Sequence, residues 1–300
     1  RQPVDALEAG AAGYAALART PFYLESGGQV SDTGVLVNDA TGASATVDGL
    51  VRIRQGLPRA HRVRVDTGTL RVRDLVSARV DEDARNATRR NHTATHLLHA
   101  ALREVLGTHV KQAGSLVAPD RFRFDFVHFQ PVTADEILRI ERIVNAQIVR
   151  NTTVSTEVRS TEEAIASGAM ALFGEKYGDQ VRVVSVGDWA HELCGGTHAQ
   201  RSGQLGVVTF LSEGWIGAGV RRVEALVGAD AYRFLAREHI LVSRLTELVK
   251  APADELVDRI ERTIATLKDA ERDLAKGSEE HTSELQSLAY LVCRLLLEKK

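Results

Sequence analysis

Cysteine is nearly absent: Cys194 and Cys293 are the only two in 300 residues. A disulfide framework is thereby excluded, and such usage suits a reducing, cytoplasmic compartment. No apolar run reaches transmembrane length and no secretory signal opens the chain, so a membrane partner is not expected. Bulk basicity is missing too, since the formal net charge is −2; nothing in the overall charge announces a nucleic-acid partner. Lysine is scarce, seven residues against thirty-one arginines. What is present is the composition of a soluble globular protein, 44% apolar and 26% charged, with length enough for two modest domains. Charge is unevenly spread. Between residues 51 and 90 eleven arginines face five acidic residues, which fits a solvated β-surface or a phosphate-contacting face equally well.

Residues 20–85 read as β, with short Val-rich stretches at Gly34–Val37, Ala45–Val51, Arg62–Val65 and Leu75–Val80 between turn clusters. Helical spacing then takes over from Ala87 to Leu106, where Ala94, Leu97, Leu98, Ala101, Leu102 and Val105 share a face and Gly107 can end it. Capping boxes predict two more helices, Thr133 with Glu136 and Ser160 with Glu163. Two strand-like runs follow, Val181–Val186 and Leu205–Leu211. From about Ala229 the pattern is wholly helical. Ala253, Leu256, Ile260, Thr263, Leu267, Ala270 and Leu274 form a heptad seam, read as a helical hairpin packing on itself in preference to an intermolecular coiled coil. The expected fold is thus α+β: a β-rich, barrel-like part (1–85), an α+β domain (86–228) and a helical connector (229–276). The string from Gly277 to Lys300 matches the translation of a sequencing adapter, and is set aside from fold reasoning.

Three elements carry chemistry. His92 and His96 stand at i, i+4 on the first long helix, where both imidazoles can grip one ion. Cys194-Gly195-Gly196-Thr197-His198 lies in a polar loop between strands. Each pair alone has a bland reading, surface or core histidines in one case and a small buried hydrophobe in the other. Together they supply one thiolate and three imidazoles, a set that suits Zn²⁺ over Mg²⁺ or Ca²⁺. His198 is either a fourth ligand or a general base, and His191 is placed as a supporting residue behind the ligands. His99, three residues past His96, points partly away. The third element is the glycine-rich segment around Gly27-Gly28-Gln29, where the glycines permit close backbone approach and Gln29 offers an amide donor and acceptor.

GGQxxDxG, then HxxxH, then CGGTH, in that order, resemble the editing region of alanyl-tRNA synthetases, shared with freestanding alanine-type editing proteins. The likeness runs from Thr20 to about Gly228 and includes Gly217–Ala225, with Arg221 and Arg222; residues 1–19 match poorly, and Ser31 stands where the family usually has Gly. The heptad region resembles the connector of the full synthetase, which favours a synthetase piece over a freestanding editor. Threonyl-tRNA synthetases carry a related module, but theirs reads CRGPH and lacks the GGQ segment. The resemblance implies Zn²⁺, one per chain, on His92, His96, Cys194 and His198, and hydrolysis of Ser-tRNA(Ala) and Gly-tRNA(Ala). It implies tRNA(Ala) as partner, chiefly its aminoacylated 3′ end. Gly27, Gly28, Gln29, Thr95, Arg221 and Arg222 are the substrate-binding candidates; Gln29, Thr95 and His198 are the catalytic ones. The chain starts without an initiator Met and is expected to lack the aminoacylation and C-terminal domains of the same enzyme. The competing reading is a structural zinc holding a non-catalytic RNA-docking module.

Overall fold

The computed structural model describes residues 2–52, 59–170 and 178–297, the side chains of 277–282 and 290–297 excepted. Arg54, one of the eleven arginines, and the Cys293 side chain lie outside the described residues. Two compact units emerge, residues 1–233 and 234–300.

The first unit opens with seven short strands: β1 (Ala6–Glu8), β2 (Ala12–Ala16), β3 (Gly34–Val37), β4 (Ser44–Arg52), β5 (Arg59–Thr67), β6 (Thr69–Arg71) and β7 (Ser77–Val80). Five of them form an antiparallel sheet in the order β2-β5-β4-β3-β7, while β1 and β6 pair apart as a ribbon. The expected barrel is not closed. β2 and β7 are opposite edges, and no described strand bridges them. Alternation along β5 shows why one covered face suffices: Val63 and Val65 point into a core with Leu36, Val47, Phe22 and Leu24, whereas Arg62 and Arg64 point to solvent.

Asp81 then caps α1 (Glu82–Leu106), its carboxylate accepting from Ala84 N at 3.0 Å, with Glu82 and Asp83 in the first turn facing the helix dipole. Strands β8 (Gln112–Val117) and β9 (Phe122–Val127), missed in the sequence pattern, follow it. The capping box of Thr133 and Glu136 starts α2 (Ala134–Val149), and after β10 (Val154–Ser160) that of Ser160 and Glu163 starts α3 (Thr161–Ala166), as their spacing predicts. Then come β11 (Gln180–Val186), β12 (Ala190–Leu193), β13 (Val208–Gly217) and β14 (Val220–Val227). A four-stranded sheet, β13-β14-β9-β8, receives α1 and α2; Phe122, Phe124 and Phe126 are fully buried against Leu97, Leu98 and Leu102. Each such side chain contributes roughly 1.5–3 kcal/mol by burial, which fixes α1 firmly on the sheet. A separate sheet, β10-β11-β12, delivers the end of β12 to the middle of α1.

α4 (Ala229–Val249) leads into the second unit, which is otherwise dominated by α5 (Leu256–Leu297). The seam does not show a hairpin. Leu256 is buried and Ile260 half-buried, but Thr263, Leu267, Ala270 and Leu274 are exposed, so a self-packed hairpin would leave its own knobs in water. α5 runs on without a break through 277–297, where Leu285 and Leu288 are exposed.

Candidate metal centre and cleft

His92 and His96 lie one turn apart on the buried face of α1, their rings stacked with centroids 5.2 Å apart. The loop leaving β12 brings Cys194 Sγ to 3.3 Å from His92 Nε2, and His198 to a centroid distance of 4.4 Å from His92. The four potential donor atoms all lie within 4.8 Å of one another. His96 Nε2 and His198 Nε2 are buried with no hydrogen-bond partner. Orphaned imidazole nitrogens are costly in a protein interior, and a cation shared with a thiolate is the species that would satisfy both. The residues therefore fit a borderline-soft divalent ion.

Gly196 explains how the loop comes so close: a Cβ there would sit 2.0 Å from His92 Cε1. Gln29 is held nearby by a tight turn in which Ser26 and Gln29 exchange backbone hydrogen bonds, with Gly27 and Gly28 in the left-handed region (φ +59° and +83°). Gly28 lies flat on β8, where an added Cβ would meet Ser115 O at 2.5 Å, and Val117 N donates to Gly28 O at 2.7 Å. The amide of Gln29 is fully buried; its oxygen accepts twice and its nitrogen donates once. Its Oε1 accepts from Thr197 N (2.9 Å), which fixes that atom as the oxygen, so His92 Nδ1 at 2.7 Å must be the donor. Nε2 of His92 is thereby left to face Cys194. The Gln29 Nε2 donates to Thr197 Oγ1 at 2.9 Å. Asp32, farther along the same segment, pairs with Arg85 at the start of α1 and accepts from Tyr23 N.

Behind the ligands stands a group that the sequence pattern did not single out. Glu192 is buried, and its two oxygens accept from His96 Nδ1 (2.6 Å) and His99 Nδ1 (2.9 Å). His191, expected in that role, points the other way and bonds Ser185 Oγ at 2.8 Å. The signal was available: in the alternation of β12, Glu192 shares a face with Cys194 two residues on, and His191 does not. Burial alone would raise the Glu192 carboxyl, but the two histidines it bonds more than offset this and hold it well below the usual range. Burial likewise opposes ionisation of the Cys194 thiol, yet His92 and His96 pull it well below its ordinary value. His198 is pushed down to about 3 by burial and by His92, hence neutral. Thiolate and neutral imidazole are the ligating forms; burial would lower His96, but Glu192 and Cys194 raise it to about 10, so it gives up a proton to reach its ligating form.

A cleft of about 290 Å³ opens onto His92, His96 and Cys194, lined also by Tyr23, Thr95, Gln112, Gln180 and Arg182. Thr95 is in it, its hydroxyl donating to Asn91 O at 2.9 Å. Arg221 and Arg222 are not: Arg221 pairs with Glu213, and Arg222 forms a two-pronged pair with Asp125 at 2.7 and 2.9 Å. Among the other arginines of 51–90, Arg62 pairs with Asp48 and Arg79 with Asp39, both on the exposed surface.

The model of a family described as "Threonyl and Alanyl tRNA synthetase second additional domain" matches residues 181–224, the stretch from β11 to β14 that holds Glu192, Cys194 and His198. That of "tRNA synthetases class II (A)" matches residues 1–84, so the likeness reaches the first residue, earlier than the motifs alone carry it. An alanine–tRNA ligase of Acidothermus cellulolyticus is 52% identical over 273 residues, 91% of the chain and 30% of the relative. The chain belongs to the alanyl-tRNA synthetase family. Alanine–tRNA ligases of Salinispora tropica (51% identity, 86% of the chain, 28% of the relative) and Bordetella parapertussis (47%, 91% and 31%) agree. The chain thus spans about 30% of the length of these alanyl-tRNA synthetases. No described helix is long and apolar enough to cross a membrane.

Proposed function

We propose that the cleft hydrolyses the ester of mischarged tRNA(Ala), with Ser-tRNA(Ala) and Gly-tRNA(Ala) as substrates. The observation that carries this reading is the largely buried quartet, three of whose members line an open cleft, with two of its imidazole nitrogens unpartnered. A closed structural site would need no such opening. An alanine pocket discriminates by only about 1–3 kcal/mol against a substrate differing by one small group, so a second, hydrolytic site supplies the missing accuracy. Zn²⁺ on His92, His96, Cys194 and His198 would supply Lewis acidity there.

The chain's own residues divide the remaining work. Gln29 keeps His92 in the tautomer whose Nε2 is free, and ties the glycine-rich segment to Thr197. Three of the four bonding positions of its buried amide are already committed to His92 and Thr197, so its role in this reading is positioning. Glu192 does the same for His96. Thr95, with its proton committed to Asn91 O, retains lone pairs that can accept from a serine hydroxyl, and it is the selectivity residue in this reading. Thr95→Val then slows Ser-tRNA(Ala) hydrolysis several-fold to about tenfold, the scale of one hydrogen bond, and Gly-tRNA(Ala) hydrolysis less. The deciding assay is release of serine from Ser-tRNA(Ala) by the purified, zinc-loaded chain. Absence of release above the spontaneous rate, with zinc content near one per chain, favours the non-catalytic docking module instead.

A further inference from the structure

Arg182 sits on β11 directly beside the Cys194 loop: its carbonyl accepts from Cys194 N at 3.0 Å and its guanidinium donates to Gly195 O at 3.3 Å. It is half-buried and lines the cleft. Among the described residues it has no carboxylate partner, unlike Arg221 and Arg222, which are committed to Glu213 and Asp125. The described lining of the cleft contains no Asp or Glu; Gln112, Gln180, Ser26 and Ser115 are neutral, and apart from the quartet's own His92, His96 and Cys194, Arg182 is the one charged side chain in it. One bond to a carbonyl leaves most of the five guanidinium donors unused. A half-buried, underused fork in a cleft without carboxylates is built for an oxyanion with two acceptor oxygens in a plane.

We infer that Arg182 anchors the phosphodiester that precedes the terminal adenosine of the tRNA 3′ end. This rests on the deacylase reading, because the quartet then fixes where the aminoacyl ester lies and the nearest anion is the phosphate one ribose away. Arg182, bonded to the loop that carries Cys194, lines the same cleft as His92, His96 and Cys194. The inference also moves phosphate recognition away from Arg221 and Arg222, whose charges are already neutralised. Arg182 acts as a binding and positioning residue with no part in proton transfer.

Two measurements on the zinc-loaded chain test it. In titrations followed by NMR, the wild type binds the dinucleotide CpA about tenfold more tightly than adenosine, the scale of one charge-assisted contact, and the gap narrows with salt. Arg182→Gln abolishes the gap and Arg182→Lys keeps part of it, since a point charge replaces the fork. In deacylation, the wild type prefers Ser-tRNA(Ala) over the phosphate-free seryl ester of adenosine, and Arg182→Gln shrinks that preference through KM. Equal binding of CpA and adenosine by the wild type overturns the inference, whether or not the variants fold. An unchanged gap in a folded, zinc-replete Arg182→Gln protein overturns it as well. A CpA preference that depends on Arg182 in a chain that releases no serine from any ester upholds the anchor and refutes the deacylase reading.

Discussion

Replacing Glu192 by Gln changes one carboxylate oxygen into an NH₂ group and leaves the volume of the side chain almost unaltered. The structure fixes what that does. Both oxygens of Glu192 accept, from His96 Nδ1 at 2.6 Å and from His99 Nδ1 at 2.9 Å, in a site where neither histidine can turn to water. An amide can accept from one and must donate to the other, so one imidazole has to move its proton to Nε2. If that imidazole is His96, the proton lands on the nitrogen that faces the quartet and a donor is lost. If it is His99, the ligand survives but loses a charged acceptor for a neutral one. Removing such a partner typically costs 10–100-fold in metal affinity, about 1.4–2.7 kcal/mol. Competition with a chromogenic chelator measures it, and near-wild-type circular dichroism of the zinc-saturated variant shows that the fold is kept. A second variant, His99→Leu, removes the rival donor; combined with Glu192→Gln it frees the amide oxygen for His96 and should recover part of the loss. Wild-type zinc affinity in Glu192→Gln would refute the reasoning, as would a double variant worse than the sum of its parts.

Cys194→Ala removes the quartet's thiolate and should take zinc well below one per chain by elemental analysis; a fully loaded variant would exclude the sulfur as a ligand. Gly196→Ala places a Cβ 2.0 Å from His92 Cε1 and 2.8 Å from Gln29 Oε1, so metal affinity and deacylation should both fall at least about tenfold, whereas Gly195→Ala meets nothing within 4 Å and should be nearly silent. Equal behaviour of the two alanines would show that the loop does not sit as described. Deleting Ser278–Lys300 should shift the melting temperature by no more than about 2 °C, because exposed residues such as Leu285 and Leu288 bury nothing there; a larger drop identifies that stretch as a packed part of the protein.

The quartet was legible because its parts are written in local spacing: i, i+4 on a helix, and Cys and His four apart around two glycines. Capping boxes at Thr133 and Ser160 were legible for the same reason, each being complete within four residues. Glu192 was not. A buried carboxylate is identified by what lies across from it, and His96 and His99 are more than ninety positions away. The partners of Gln29 were hidden for the same reason, since an amide in a glycine-rich turn looks free until Thr197 and His92 are brought to it. Strand β9 was legible and passed over: Phe122-Arg123-Phe124-Asp125-Phe126 alternates with period 2 between Pro119-Asp120 and Pro131, the signal of a strand. The heptad seam was read correctly as helix, while its packing as a hairpin is not seen among the described residues, because periodicity reports which residues share a stripe and says nothing of what covers it.

The long separations within the site have a consequence for how the protein is made. His92 and Cys194 are 102 positions apart, and Gln29 and Thr197 are 168 apart. A chain emerging from the ribosome presents α1 with two imidazoles long before the loop that completes the set. Those two alone are a half-site, weak and open to whatever soft ion is at hand. Closing it brings together three stretches at once, and contacts of such sequence separation form late in folding. An ion held there would act as a checkpoint on assembly: it would sit firmly only in chains whose glycine-rich turn, helix and loop have already found one another.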